Sequence, residues 1–438
     1  NDTATTEIYT LSLHDALPIF LFMNGAPSQV DTFDPKPELA KHHGQPYAGK
    51  VKAVGSNGRP VGYLMQSPFE FKAHGRSGLP ISSLFPHTSK FADDLCVLRS
   101  LYTDTAAHAS GCLQMNTGSI LMGRPSVGSW VSYGLGTENQ DLPAFVVLPD
   151  PGGGVKGGPP AWGCGYLPTN YQGVTMRPGP QPILHLRPQA QISPAQQRST
   201  LDLIQQLNRD HLEARDQDDE LSARLRAYEL AYRMQSAAPA LVDLSGETAE
   251  TQSLYGLDQK ETQDFGRRCL LARRMIERGV RFVQVYSGDT NGWDAHSDVM
   301  KNHTQMCRAT DQPVAALLTD IKRRGLWDDT LIIWGGEFGR MPMSEQGTGR
   351  DHNPWGYSVW LAGGGVKGGM AYGATDAVGL RAAENPVHIR NFHATLLHLL
   401  GLDPQSLSYL HNGLNERLIG PTDDVKVVKE ILNNPVES

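Results

Sequence analysis

The stretch Leu331 to His352, LIIWGGEFGRMPMSEQGTGRDH, joins an apolar run to Gly335-Gly336-Glu337 and then, after a short loop, to Arg350-Asp351-His352. A similar unit lies upstream: RFVQVYSG, Arg281 to Gly288, is followed by Asp294 and His296 in GWDAHSD. Carboxylates and imidazoles delivered to two strand ends suit a metal site, because a divalent ion takes oxygen and imidazole donors converging from separate elements. The candidate ligands are Asp294, His296, Glu337, Asp351 and His352, with His303, His388 and His393 in reserve. Asp294 and His296 are two apart, a spacing that turns both side chains to one side of an extended loop but not of a helix. No spacing matches a zinc finger or an HExxH helix. The same groups could instead form a buried network of salt bridges and hydrogen bonds beneath the loops.

In TDTAAHASG, His108 follows Thr105 by three residues, so the two could share one helical face. A hydroxyl at a helix N-terminus is placed for nucleophilic attack, since free backbone amides there stabilise an anion. The competing reading is that Thr103 or Asp104 merely caps the helix. Arg340 and Arg350 flank the polar clusters, and a guanidinium fork grips phosphate or sulfate oxygens in pairs. Either could equally pair with Glu337 or Asp351. Asp31 and Asp34 are ligands or turn residues ahead of Pro35.

These residues need elements to hold them. Apolar runs at Ile19–Asn24, Leu95–Leu101, Ala144–Asp150, Arg281–Tyr286, Leu331–Gly335 and Tyr357–Ala362 read as strands. Helical patterns fall between them: an entry at TDTAAHASG, then Ser129–Gly134, about 193–235, Lys260–Gly279, Asp298–Arg324 with a kink expected at Pro313, and His393–Leu400. Ile81–Phe91 reads as partly helical. Pro151 to Gly173 is rich in Gly, Pro and aromatic residues and reads as a long ordered loop or lid. Continuously apolar strands alternating with helices predict an α/β fold: a mostly parallel sheet sandwiched between helices, with ligands bound beyond the C-terminal strand ends.

Composition sets the limits. The chain has 438 residues, 39% hydrophobic and 19% charged, which predicts a packed core rather than disorder. A net charge of −7 without long runs argues against nucleic acid as a partner. The five cysteines are scattered with no CxxC, so free buried thiols are expected rather than a disulfide framework. No apolar run is long enough to span a membrane. The first 19 residues, NDTATTEIYTLSLHDALPI, lack the basic start and apolar centre of a signal peptide and resemble a translated sequencing adapter. The natural chain is then expected to begin near Phe20, as one domain over residues 20–433 with a Gly/Pro-rich loop insertion at about 151–187 and a helical insertion at about 193–236, and residues 434–438 are a tail.

NGAPSQVDTFDPKPEL, RSLYTDTAAHA, NTGSILMGRPSVGSWVSYGLG, GWDAHSD, GGEFGRMP, GRDHNPWGYSVWLAGGGVKGG, YGATDAVG and FHATLLHLLGLD together resemble domain-of-unknown-function family 1501, which is related to sulfatases and the alkaline phosphatase superfamily. The resemblance runs from Phe20 to about Asn433. It implies an alkaline phosphatase/sulfatase-like sheet, one or two divalent metals (zinc, calcium or manganese), and cleavage of phosphate or sulfate esters in small molecules or polysaccharides. TDTA resembles the TDSA of alkaline phosphatases, which puts the nucleophile position at Thr105. Asn24 falls where the first strand normally offers Asp, and Phe338 where a second nitrogen or amide ligand is usual. His352 resembles the last histidine ligand. No sulfatase C-x-P/S-x-R motif is present. Family members often carry a twin-arginine export signal, which implies a periplasmic or cell-envelope location. On this reading the chain is a metal-dependent hydrolase, with His108 or His393 protonating the leaving group; the alternative is an inactive envelope protein that kept the fold for binding.

Overall fold

The computed structural model describes residues 16–49, 55, 58, 60–179, 181–184, 186, 192–213, 219–289 and 292–433. The leading residues 1–15 and the tail 434–438 lie outside the described residues. Ala16 to Ile19, read from the sequence as part of a foreign leader, are integral to the fold. Leu17 N–H donates to the Asp329 carbonyl at 2.8 Å, and Ile19 N–H to the Leu331 carbonyl at 2.9 Å.

The strands of the central sheet are β1 (Ile19–Met23), β2 (Leu95–Tyr102), β3 (Phe145–Leu148), β4 (Val174–Thr175), β5 (Phe282–Ser287), β6 (Ile332–Gly335), β7 (Tyr357–Ala362), β8 (Met370–Tyr372) and β9 (Val387–His388). Their order across the sheet is β8-β2-β7-β6-β1-β5-β3-β4, with β9 also pairing with β2. Neighbours are parallel except around β7, which runs antiparallel to both β2 and β6. Each of the six predicted strands is present within a residue or two of its expected ends. They were readable because strands buried on both faces must be apolar throughout. The expected partial helix at Ile81–Phe91 is instead a strand, Leu79–Ser82, followed by a 3₁₀-helix, Thr88–Asp94; Pro80 and Pro86 break up the helical spacing.

The longer helices are α1 (His108–Thr117), α2 (Val127–Leu135), α3 (Pro194–Glu213), α4 (Asp219–Val242), α5 (Gln263–Ile276), α6 (Val299–Arg323) and α7 (Ile389–Leu399). The predicted helical insertion is therefore two helices. The expected kink does not interrupt α6, which continues through Pro313. Strand alternation sorts the core into two layers. Ile19, Leu21 and Met23 of β1 join the layer built with α5 and α6, whereas Phe20 and Phe22 join the layer built with α1, α2 and α7. Among the described residues no helix is long and apolar enough to cross a membrane.

The antiparallel β7 has a geometric consequence. The chain enters β7 at the rim where β1, β2, β5 and β6 end. His352, just before β7, thus reaches the same rim as the residues that follow those four strands. A buried ion pair fixes this approach: the Arg350 guanidinium donates to Asp31 at 2.6 and 3.2 Å and to the Met65 carbonyl at 3.0 Å. Asp31 and Arg350 are both 0% exposed. Burial alone would raise the Asp31 carboxyl, but the Arg350 charge and hydrogen bond hold it below the usual range. Removing one partner strands the other charge in the interior, so Asp31→Asn is expected to cost about 3–5 kcal/mol of stability in urea unfolding; a loss below about 1 kcal/mol would show that the pair does not hold this rim.

Candidate metal centre

The site is built on the C-terminal ends of β1, β5 and β6 and the start of α1. Trp293 anchors the loop after β5. Its indole packs edge-on against Trp334 at 6.1 Å, and the Trp293 backbone N–H donates to the Asn24 carbonyl at 3.0 Å. The next residue, Asp294, is thereby held against the end of β1. Gly25 makes the approach possible: it has φ +104°, and a Cβ there would lie 2.7 Å from the Asp294 nitrogen. Gly349 does the same on the other side, where a Cβ would lie 1.9 Å from the His296 carbonyl oxygen.

Around the Asp294 carboxylate stand three imidazoles. His296 Nε2 lies 3.0 Å and His352 Nε2 3.3 Å from Oδ1, and His108 Nε2 lies 3.0 Å from Oδ2. His296 Nε2 and His352 Nε2 are 2.9 Å apart. Each ring is held from behind through Nδ1. His108 donates to Glu337 Oε1 at 2.6 Å, His296 to Glu345 Oε2 at 2.6 Å, and His352 to the Ala106 carbonyl at 2.6 Å. An imidazole whose Nδ1–H is bound by an oxygen presents its Nε2 lone pair forward, which is how metal-ligating histidines are oriented. His108 Nε2 is buried and makes no hydrogen bond of good geometry among the described residues.

Electrostatics sharpen the arrangement. Burial pushes His352 down to about 4, with Arg340 and His108 adding to it, so its Nε2 is a bare lone pair at neutral pH. The hydrogen bond to Asp294 outweighs burial and raises His296. Burial would raise Asp294, but its contacts with His108, His296 and His352 and the charge of Arg340 hold it far below the usual carboxylate range. Lone pairs and a carboxylate facing one another require a cation or protons between them. A tetrahedral zinc site with bonds of about 2.0–2.1 Å has ligand–ligand edges of about 3.3 Å; the separations among Asp294 Oδ1, His296 Nε2 and His352 Nε2 are 2.9–3.3 Å, and His108 Nε2 lies 3.0 Å from the other carboxylate oxygen. His108, Asp294, His296 and His352 therefore fit one divalent ion, with all four donor atoms within 4.8 Å of one another.

A family model described as "Protein of unknown function (DUF1501)" matches residues 16–432. The chain belongs to the DUF1501 family. A search of curated proteins finds no match. Among solved structures, the DUF1501 chain is similar to the PsFucS1 sulfatase from Pseudoalteromonas sp., at 13% identity and TM-score 0.37 over 94% of this chain and 73% of that one. It is also similar to a protein in the alkaline phosphatase superfamily from Vibrio parahaemolyticus, at 11% identity and TM-score 0.36 over 93% and 69%. A third is the lipoteichoic acid synthase LtaP from Listeria monocytogenes, at 8% identity and TM-score 0.35 over 96% and 78%. Likeness at this level says nothing of what a DUF1501 chain does.

Of the ligands expected from sequence, Asp294, His296 and His352 come together, and His108 joins them rather than standing apart as a proton donor. Glu337 does not face Asp294. It is fully buried, orients His108, and accepts the Gly25 N–H at 3.0 and 3.2 Å. Asp351 forms a separate group with His296 and Glu345. Thr105 is not on α1, whose N-cap is Ala107; its hydroxyl accepts the Ala107 N–H at 3.1 Å in the preceding turn. Thr103 and Asp104 do not cap α1 either. Their partner is the Gln114 side chain.

Arg340 and Arg350, expected to grip a substrate anion, are both fully buried. Arg340 donates to the Ala26 carbonyl at 3.0 Å and to Asp294 at 2.6 Å, and so holds the turn rather than a ligand. His393 is also buried and outside the group. It bonds the Met115 carbonyl at 2.9 Å, seven residues along α1 from His108, or about 10 Å of helix. His303 accepts the Ser28 N–H at 2.9 Å, and His388 caps α7 and faces Asp104.

Sequence reasoning missed two partners. Lys156, in the Gly/Pro loop, reaches Asp294 Oδ2 at 2.5 Å. Glu345 backs His296. Neither carries a periodic signal, though a lone charge within a glycine-rich loop is a cue for Lys156.

Two outcomes follow. The purified protein is expected to bind about one equivalent of zinc by equilibrium dialysis. His352→Ala and Asp294→Ala are expected to abolish that binding, and Gly349→Ala to weaken it by displacing His296; retained zinc in the first two variants would refute the ligand set. Separately, burial drives His393 down to about 4. A histidine with a depressed folded pKa takes up its proton first in the unfolded chain, so stability falls as pH drops below about 6.5 towards 4. His393→Gln is expected to remove up to about 2 kcal/mol of the loss between pH 6.5 and 5, read from urea midpoints.

Proposed function

We propose that this chain is a metal-dependent hydrolase of phosphate or sulfate esters, working in the cell envelope. The observation that carries the proposal is the convergence of three imidazole Nε2 atoms on Asp294, each ring fixed through its Nδ1. Three nitrogen donors and one carboxylate suit zinc, or manganese, better than calcium, which prefers all-oxygen cages. When bound, such an ion lowers the pKa of water or a hydroxyl and offsets the charge of ester oxygens.

The protein residues do the rest. His296, with 34% of its side chain exposed, marks the side from which a substrate enters. The Thr105 hydroxyl, next to the Ala106 carbonyl that fixes His352, is the protein's own nucleophile candidate, as the motif resemblance to TDSA implies. Phe338 packs against His108 at 4.9 Å and His352 at 4.8 Å between ring centres, giving the pocket an apolar inner wall. That wall excludes water from one side of the reacting group and offers no donor to a second ion. The cell-envelope location rests on the family resemblance alone.

A second reading has one observation in its favour. Arg340 at 2.6 Å and Lys156 at 2.5 Å already place two cations on Asp294, so protons alone could hold the cluster as a structural or binding centre. The test is a panel of aryl phosphate and sulfate esters assayed with zinc- and manganese-loaded protein. Turnover that falls by about a hundredfold or more in Thr105→Ala supports the hydrolase. Bound metal with no turnover of either ester class favours the binding centre.

A further inference from the structure

Lys156 sits on PGGGVKGG, a loop with glycines on both sides of it, and Gly153, Gly154 and Gly158 have φ of +72°, +71° and +60°. Its backbone is anchored: the Lys156 N–H donates to Asn24 Oδ1 at 3.2 Å. The side chain reaches from that anchor to Asp294 Oδ2, with 13% of its surface exposed. Arg340 and Arg350 are buried and held by backbone carbonyls, and so cannot leave their places. Lys156 differs in that Asp294 is its only side-chain partner among the described residues, and a long flexible stem carries its ammonium.

We propose that Lys156 is an exchangeable cation: it neutralises Asp294 in the metal-free protein and, when a divalent ion binds, turns outward to hold the oxygens of an anionic ester. This rests on the metal centre proposed above. The ammonium and the ion compete for the same carboxylate, and a divalent ion bound there places two like charges near Nζ. Repulsion moves the ammonium toward the open side, by His296. There the fixed Lys156 backbone keeps it within reach of an anion at the ion. The exchange accounts for a charged residue in the Gly/Pro loop, and it gives the site the mobile anion-binding group that neither buried arginine supplies.

The competition predicts opposite effects from one substitution. Lys156→Met keeps the length of the stem and removes the charge. Zinc affinity, measured by competition with a chelator, is expected to rise by about tenfold. The affinity of the zinc-loaded protein for inorganic phosphate, measured by calorimetry, is expected to fall by about tenfold. Lys156→Arg is expected to keep phosphate binding. Unchanged or weaker zinc binding in Lys156→Met overturns the competition, and unchanged phosphate binding overturns the anion role. Zinc binding to neither protein overturns the metal centre as well, which separates the two failures.

Discussion

The Asp294 carboxylate faces His108, His296, His352, Arg340 and Lys156 at 2.5–3.3 Å, and the rim of the sheet is arranged so that it can. Those partners come from the start of α1, the loops after β3, β5 and β6, and the entry to β7. An uncharged side chain at 294 would leave buried nitrogens facing one another with no anion among them, and the cost of an unpaired buried charge is several kcal/mol. The deep depression of the Asp294 carboxyl expresses the same fact, since the folded state is built to keep it ionised.

This dependence explains features that look unrelated. Trp293 is buried so that the residue after it has a fixed position. Gly25 and Gly349 lack a Cβ because backbone from the 293–296 loop passes where that atom would be. Arg350 is locked to Asp31 so that His352, two residues on, arrives at a set angle. Arg340 ties the turn after β1 to Asp294. The reversed direction of β7 belongs with these. Were it parallel, its entry and His352 would lie at the opposite rim of the sheet.

Much of this was legible in the sequence. The strands were, because burial on both faces leaves an uninterrupted apolar run with no competing period. Asp294, His296 and His352 were, because polar residues in the loops that leave or enter such runs lie at the rim. What could not be read was the direction in which each side chain serves. Glu337 and Asp351 have the same chemistry as Asp294 and similar positions relative to their strands. Only the fold shows that Glu337 stands behind His108 and that Asp351 sides with Glu345. An arginine near carboxylates reads alike whether it holds a ligand or a turn, and burial decides the matter for Arg340 and Arg350. His108 looked like a helix-start proton donor because its partners, Asp294 and Glu337, lie 186 and 229 residues away and no local pattern encodes them.

The departures at Asn24 and Phe338 act together. Asn24 is fully engaged: its amide donates to the Gly288 and Asp289 carbonyls at 3.3 and 2.7 Å, and its oxygen accepts the Lys156 N–H. An aspartate could not donate those two bonds, so the asparagine joins the ends of β1 and β5 and anchors the Lys156 loop instead of offering a charge. Phe338 fills the space beside His108 and His352 with a ring that has no lone pair. Glu337, the remaining carboxylate on that side, is already bound by His108 and the Gly25 amide. A second ion would thus find one occupied carboxylate and an apolar wall, and the charge of Arg340 nearby opposes it further. These residues favour a single ion in this centre.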